Sequence, residues 1–146
     1  MDASIKEFIN SSRLVIVGVS HDQRKFSNGA YRELKARGYK VFAVNPTLAE
    51  IDGEKCYGDL PSLRGEVDGG VICVSPEKVA PILHEAAESG LRNIWLQQGA
   101  ESKESIKLGK MLGLNLIAGK CILMYAKPVR GFHKVHRFFV RLGGRL

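Results

Sequence analysis

Three groups of side chains in this chain have the types and spacing that chemistry can use. The first is Gly18-Val19-Ser20, followed within a few residues by Arg24, Lys25 and Ser27. A glycine lets the backbone come close to a ligand. N–H groups at the start of a following helix favour negative charge, so this pattern suits a phosphate. Arg24 and Lys25 would add full positive charges. The same residues also suit a plain strand-to-helix connection with a solvated basic pair. The second group is Lys120-Cys121. A neighbouring ammonium favours the thiolate, which can exchange with another thiol or accept an acyl group. An inert, partly buried cysteine fits the same residues. The third group is His133 and His136, three apart and so on one face of a helix. Two histidines with no third ligand nearby do not make a metal site, and no metal is expected. His84 reads as a surface residue, and His21, in the loop after Gly18, suits either a bond to a phosphate or plain loop polarity.

The elements that must position these groups alternate regularly. Ser4 to Asn10 predicts a short entry helix. Leu14-Val15-Ile16-Val17 is a compact apolar strand that stops at Gly18. Ser27 or Asn28 suits the N-cap of a helix over about residues 29–37, with Gly38 as its C-terminal glycine. Lys40 to Val44 is a second strand, ended sharply by Asn45-Pro46. Residues 47–59 read as a loop with an Asp52-Gly53 turn and a minor strand at Glu54 to Tyr57. Gly70 to Val74 is a third strand. Ser75-Pro76 then starts a helix, with serine as cap and proline at the first position. Asn93 to Leu96 is a fourth strand, Gln97-Gln98-Gly99-Ala100 a turn, and Ser102 the start of another helix. Leu114 to Ala118 is a fifth strand.

Apolar strands without period-two alternation, separated by helices, imply a parallel sheet covered on both faces. Right-handed crossovers then give an α/β, Rossmann-like, doubly wound sheet of about five parallel strands in a single domain. The expected division is residues 1–125 for the domain and 126–146 for a basic C-terminal helix or tail. Ligands bind such sheets at the C-terminal ends of the strands. The segments gathered there would be Gly18-Val19-Ser20, Asn45-Pro46, Val74-Ser75-Pro76, Gln97-Gln98-Gly99 and Lys120-Cys121.

Composition narrows the classes. The 146 residues suffice for one domain with a real core, and 45% hydrophobic with 25% charged residues is ordinary for a globular chain. No apolar run approaches the length of a membrane span. The N-terminus carries early acids and lacks the apolar stretch of a signal peptide, so cytoplasmic location is the expectation. Cys56, Cys73 and Cys121 are odd in number and lack C-x-x-C spacing, against both a disulfide scaffold and a zinc cluster. The charge of +7 is uneven: residues 105–146 hold nine of the 22 basic residues and none of the 15 acidic ones. That asymmetry points to an anionic partner.

The dinucleotide fingerprint is not met. A second glycine would have to stand where Ser20 does, and the acidic residue expected after the second strand is replaced by Asn45-Pro46. No P-loop motif is present.

The segments VGVS at 17–20, RKFSNG at 24–29, GYKVFAVNP at 38–46, VSP at 74–76, WLQQGA at 95–100 and Cys121 together resemble the small CoA-binding domain family. That family is related to the N-terminal domain of the succinyl-CoA synthetase alpha subunit, and the resemblance covers about residues 12–122. It implies coenzyme A or an acyl-CoA as ligand. Gly18, Val19 and Ser20 would contact the pyrophosphate, with Arg24, Lys25 and Ser27 holding phosphates. Asn45 and Pro46 would border the adenosine. Val74, Ser75 and Pro76, with Gln97, Gly99 and Ala100, would line the pantetheine arm near Cys121. The chain departs from the family pattern at Val19, usually a small alanine, and at Arg24-Lys25-Phe26, usually Arg-Pro. The second synthetase domain and its phosphorylated histidine have no counterpart among these residues.

With no acid–base pair, nucleophile triad or metal cluster visible, the expected role is a carrier, sensor or regulatory CoA-binding module, with no catalytic residue assigned. The rival class is an enzyme, either an NAD(P)-dependent oxidoreductase or a CoA-thiol transferase acting through Cys121. A protein partner or a homo-oligomer is compatible with either class. In the tail, Phe132, Val135, Phe139 and Leu142 recur near helical spacing among Lys134, Arg137 and Arg141. This pattern predicts a basic amphipathic helix. Packing of its apolar face on the domain accounts for it, and an anionic surface or nucleic acid is the alternative.

Overall fold

Leu14, Val15 and Ile16 are wholly inaccessible to solvent, although successive side chains on a strand point to opposite faces. A strand buried on both faces belongs at the centre of a layered sheet. The computed structural model describes residues 2–127. The tail helix expected around Phe132 to Leu142, with His133 and His136, lies outside the described residues.

In chain order the elements are α1 (Ala3–Ile9), β1 (Arg13–Val17), α2 (Phe26–Ala36), β2 (Lys40–Val44), β3 (Glu50–Ile51), β4 (Glu54–Tyr57), β5 (Gly69–Ile72), α3 (Val79–Glu88), β6 (Asn93–Gln97), α4 (Lys103–Met111) and β7 (Asn115–Lys120). Short 3₁₀ turns lie at Pro61–Leu63, Pro76–Lys78 and Ile122–Met124. The strands form one sheet in the order β3-β4-β2-β1-β5-β6-β7. Every neighbouring pair is parallel except β3 and β4. Without β3, this is the doubly wound Rossmann order, and β1 and β5 lie side by side where the winding reverses.

Each face of the sheet has its own apolar layer. Leu14, Ile16, Val71 and Trp95 pack with Phe8 of α1 and with Tyr31 and Leu34 of α2. Val15, Val17, Ile72, Ile94 and Leu96 pack with Val79 and Leu83 of α3, and Leu108 of α4 covers the same side. Trp95, the only tryptophan, meets Phe8 edge-on at 5.3 Å and Tyr125 at 5.6 Å between ring centres.

The fold class is the one expected, and several details differ from it. The sheet holds six parallel strands, because Glu54–Tyr57 pairs with β2, and a seventh, β3, closes a hairpin. Asp52 and Gly53 both have positive φ, as a two-residue hairpin turn of this hand demands. Helix α2 starts at Phe26, with Lys25 at its cap and no side-chain capping bond, so neither Ser27 nor Asn28 is the N-cap. Asn28 instead bonds to the backbone of Ser20, in the loop after β1. The third expected strand ends at Ile72, leaving Cys73 and Val74 in the turn. Ser75 precedes a 3₁₀ turn and makes no side-chain cap bond; its hydroxyl donates to Glu77 at 2.6 Å. The last strand runs on to Lys120 through an irregularity opposite β6.

A cleft at the point where the sheet reverses

The turn after β1 is held against the turn after β5. Gly18 has φ +106°, and a Cβ there would lie 2.4 Å from the Cys73 carbonyl oxygen and 2.9 Å from Val74 Cγ1. Only glycine fits. Gly18 N–H donates to Val44 O at 3.0 Å, and Cys73 N–H donates to Val17 O at 2.8 Å. The two backbones therefore meet at the mouth of the sheet with no side chain between them.

Two asparagines fix the loop beyond Gly18. Asn28 is fully buried. Its Oδ1 accepts from Ser20 N–H at 2.7 Å, and its Nδ2 donates to Ser20 O at 2.9 Å. The first turn of α2 thus grips the loop like a second strand. Asn45, at the end of β2, donates through Nδ2 to Val19 O at 2.6 Å, and its Oδ1 accepts from Thr47 N–H at 2.7 Å. Ser20 Oγ accepts from Asp22 N–H at 3.0 Å, which carries the loop on toward α2.

Next to this loop lies a cleft of about 1200 Å³. One wall is the loop and the start of α2, including Ser20, Arg24, Lys25, Ser27 and Gly29. The floor is Cys73, Val74 and Gln97 at the ends of β5 and β6. The far wall is Lys120 to Cys121 with Leu123, Met124 and Tyr125. A Cβ on Gly29 would meet nothing within 4 Å, so the helix backbone is open to the cleft there.

The far wall is turned into place by the end of β7. Trp95 pairs with Ile117 but Gln97 with Lys120, so β7 carries an extra residue at Ala118-Gly119. Such a bulge re-aims the residues beyond it. Gly119 has φ +76°. Trp95 Nε1 donates to Lys120 O at 2.9 Å, and Gln97 Oε1 accepts from Ile122 N–H at 3.0 Å. Buried Arg37 then holds the next turn from α2's end, donating to Leu123 O at 2.9 Å and to Glu33 at 3.3 Å. Tyr39 Oη accepts from Lys127 N–H at 3.1 Å, so the chain stays tied to the domain to that point.

The electrostatics of the cleft are mixed. Arg24 is 91% exposed and pairs with Asp22 at 3.1 Å. The guanidinium and the Arg24 N–H hold the Asp22 carboxyl below the usual carboxylate range. This open pair is weak and can be exchanged for a stronger anion. Burial pushes the Cys73 thiol up to about 12, and nearby Cys121 adds to that push. Among the described residues no group of three or more His, Cys, Asp or Glu gathers to hold a metal ion.

Of the residues singled out from sequence, Gly18, Ser20, Arg24, Lys25, Ser27, Val74, Ser75, Gln97, Gly99, Ala100 and Cys121 line this cleft. Val19, Asn45, Pro46 and Pro76 do not. The Val19 side chain is buried in the core, and Asn45 acts from behind by holding the Val19 carbonyl. Pro46 and Pro76 are exposed and lie outside the cleft lining. Sequence reasoning missed the Leu123 to Tyr125 wall, which depends on Arg37, 86 positions away from Leu123. It also missed the buried role of Asn28. A polar residue in the first turn of a helix, close to apolar Ala30 and Tyr31, was the available signal.

Comparison with known proteins fits this geometry. The CoA binding domain family model matches residues 12–127. The chain belongs to that family. It is 29% identical over 121 residues to the uncharacterized protein YneT of Bacillus subtilis, covering 82% of this chain and 90% of that one. It is 28% identical over 126 residues to the acetate–CoA ligase (ADP-forming) II subunit alpha of Pyrococcus furiosus. That match takes in 79% of this chain but 28% of the ligase subunit, so the chain spans little more than a quarter of that relative. A solved structure of a conserved hypothetical protein from Pyrococcus furiosus superposes with a TM-score of 0.73 at 34% identity, covering 77% of this chain and 97% of that one.

Proposed function

We propose that the protein binds coenzyme A or an acyl-CoA in this cleft, as a carrier, sensor or regulatory module. The observation that carries the reading is the contact of Gly18 with Cys73, which strips side chains from the mouth of a sheet in a chain of the CoA binding domain family. The pyrophosphate would lie along Gly18 to Ser20 and the open start of α2, where N–H groups and the helix dipole favour anions. Lys25 and Arg24 would neutralise it, Arg24 by leaving Asp22. The pantetheine arm would run over Val74 and Gln97 toward Cys121. An oxidoreductase using NAD is disfavoured by Asn45. It offers no carboxylate to a ribose, and its amide is already engaged with Val19 and Thr47. One relative is a ligase subunit, and a protein partner that supplies catalytic parts is part of the proposal.

Calorimetric titration with CoA, acetyl-CoA, NAD and NADP under reducing conditions tests this. Micromolar CoA binding with none of the nicotinamides is expected. Absence of CoA binding, or preference for NAD or NADP, would overturn the assignment.

A further inference from the structure

Among the described residues three large hydrophobic side chains are exposed, Phe26 at 40%, Met124 at 46% and Met111 at 77%. Single hydrophobics scattered over a surface are ordinary. Here two of the three, Phe26 and Met124, line the same cleft, although they are far apart in the chain. They belong to opposing walls. Phe26 opens α2, and Gly29, Ala30 and Glu33 follow it at helical spacing, so one face of that helix runs along the cleft. Met124 ends the Ile122–Met124 turn, with Leu123 and Tyr125 beside it in the lining. The two walls are tied together, since the turn packs against α2 and Arg37 donates to Leu123 O. Glu33 is the acid of this stretch, and its charge is already balanced by Arg37 at 3.3 Å.

The loop end of the cleft has the opposite character. Ser20, Arg24 and Lys25 stand there, with two cationic side chains and a helix start that favours anions. An occupant that satisfies both ends has an anionic head and an apolar tail. The cleft, at about 1200 Å³, is also larger than the ~300–1000 Å³ of ordinary small-molecule sites, which leaves room for a group beyond the nucleotide.

Resting on the CoA reading, we propose that the ligand is an acyl-CoA thioester whose acyl group is an apolar chain of several carbons, seated between Phe26 and the Leu123 to Tyr125 wall. The pantetheine arm, led over Val74 and Gln97, would deliver the thioester to Cys121, where that wall begins. The chain continues along the wall and takes Phe26 and Met124 out of water together with its own methylenes. Free CoA and acetyl-CoA lack that gain. No bond is made or broken. The selection between thioesters sits on residues of α2 and of the last turn, outside the phosphate loop and the strand ends.

Calorimetric titration of the full chain with CoA, acetyl-CoA, hexanoyl-CoA and hexanoate tests this. Burial of one methylene strengthens binding by about fourfold. Hexanoyl-CoA, four methylenes longer than the acetyl thioester, should bind at least ~10-fold more tightly than acetyl-CoA even where part of the chain stays wet. Phe26→Ser and Met124→Ser should each lower the ratio of hexanoyl-CoA to CoA affinity, measured within one protein, by about threefold or more, and Met124→Leu should keep it. A ratio near one in the wild type, or a ratio that neither serine variant moves, overturns the acyl site and leaves the CoA reading standing. Hexanoate bound as tightly as its thioester would make the occupant a free acid and overturn the proposal too. No binding of CoA or of either thioester overturns the CoA assignment as well.

Discussion

At Gly18 two requirements coincide, a positive φ and a gap with no room for a Cβ. Gly18→Ala therefore has no neighbouring rotamer to adjust, because the obstacle is the Cys73 backbone. We expect it to destabilise the fold by about 2–4 kcal/mol, combining backbone strain and overpacking. Chemical denaturation checks this, and CoA affinity should fall with it. Asn28 makes a different prediction. Asn28→Ala leaves the Ser20 N–H and C=O without their partner, at a cost of about 1–3 kcal/mol. Because Ser20 belongs to the cleft wall and Asn28 does not, calorimetry should show weaker CoA binding even where the protein remains folded. Unchanged CoA affinity in folded Asn28→Ala would remove Ser20 from the binding site.

Among the elements, the end of α2 and the turn Ile122–Met124 form one unit through Arg37. Its side chain is nearly buried, paired with Glu33 and bonded to Leu123 O. Arg37→Met keeps the bulk and removes the donors. Loss of the bonds should cost about 1–3 kcal/mol and loosen the wall that carries Met124 and Tyr125. Tyr125 lies against Trp95, so fluorescence of this single tryptophan reports the wall directly. A changed Trp95 emission before global unfolding is expected in Arg37→Met. Emission and stability both like wild type would show that the wall stands without Arg37. The bulge in β7 belongs to the same scale: it decides that Cys121 faces the cleft.

Across the whole molecule, Asp68 joins the segment before β5 to the start of β1. Its carboxylate meets Arg13 at 2.7 Å and accepts from the Ser12 and Arg13 N–H groups. The Arg13 guanidinium, and then those N–H groups against the opposing effect of partial burial, hold its pKa below the usual carboxylate value. A carboxyl with a lower pKa when folded binds fewer protons than when unfolded. Its contribution is thus fully present above the unfolded value of ~3.9 and is lost as pH falls through the folded one. Asp68→Asn should flatten the acid limb of stability against pH while changing little near neutrality beyond a constant offset. An acid limb of unchanged slope would show that other carboxylates govern it. Among the described residues no helix is long and apolar enough to cross a membrane.

The layered fold was legible in the amino-acid sequence, and so were eleven of the residues that line the cleft. Strand cores such as Leu14 to Val17 are apolar throughout because both faces of a parallel sheet are covered, and that composition is local. The glycine turn at Gly18 and the Asp52-Gly53 hairpin are likewise written in backbone freedom, a property of single residues. Features that depend on contacts distant in the chain were not legible there. Asn28 looked like a helix cap because capping is the local use of an asparagine, and the Ser20 backbone outcompeted it. Glu50–Ile51 is a strand through its antiparallel pairing with β4, a contact that its two residues do not announce. The Met124 and Tyr125 wall, and the side of the cleft on which Cys121 stands, were set by Arg37 and by one extra residue in β7. Neither leaves a periodic trace, since a bulge shifts register rather than composition and a buried guanidinium reads in sequence as an ordinary surface arginine.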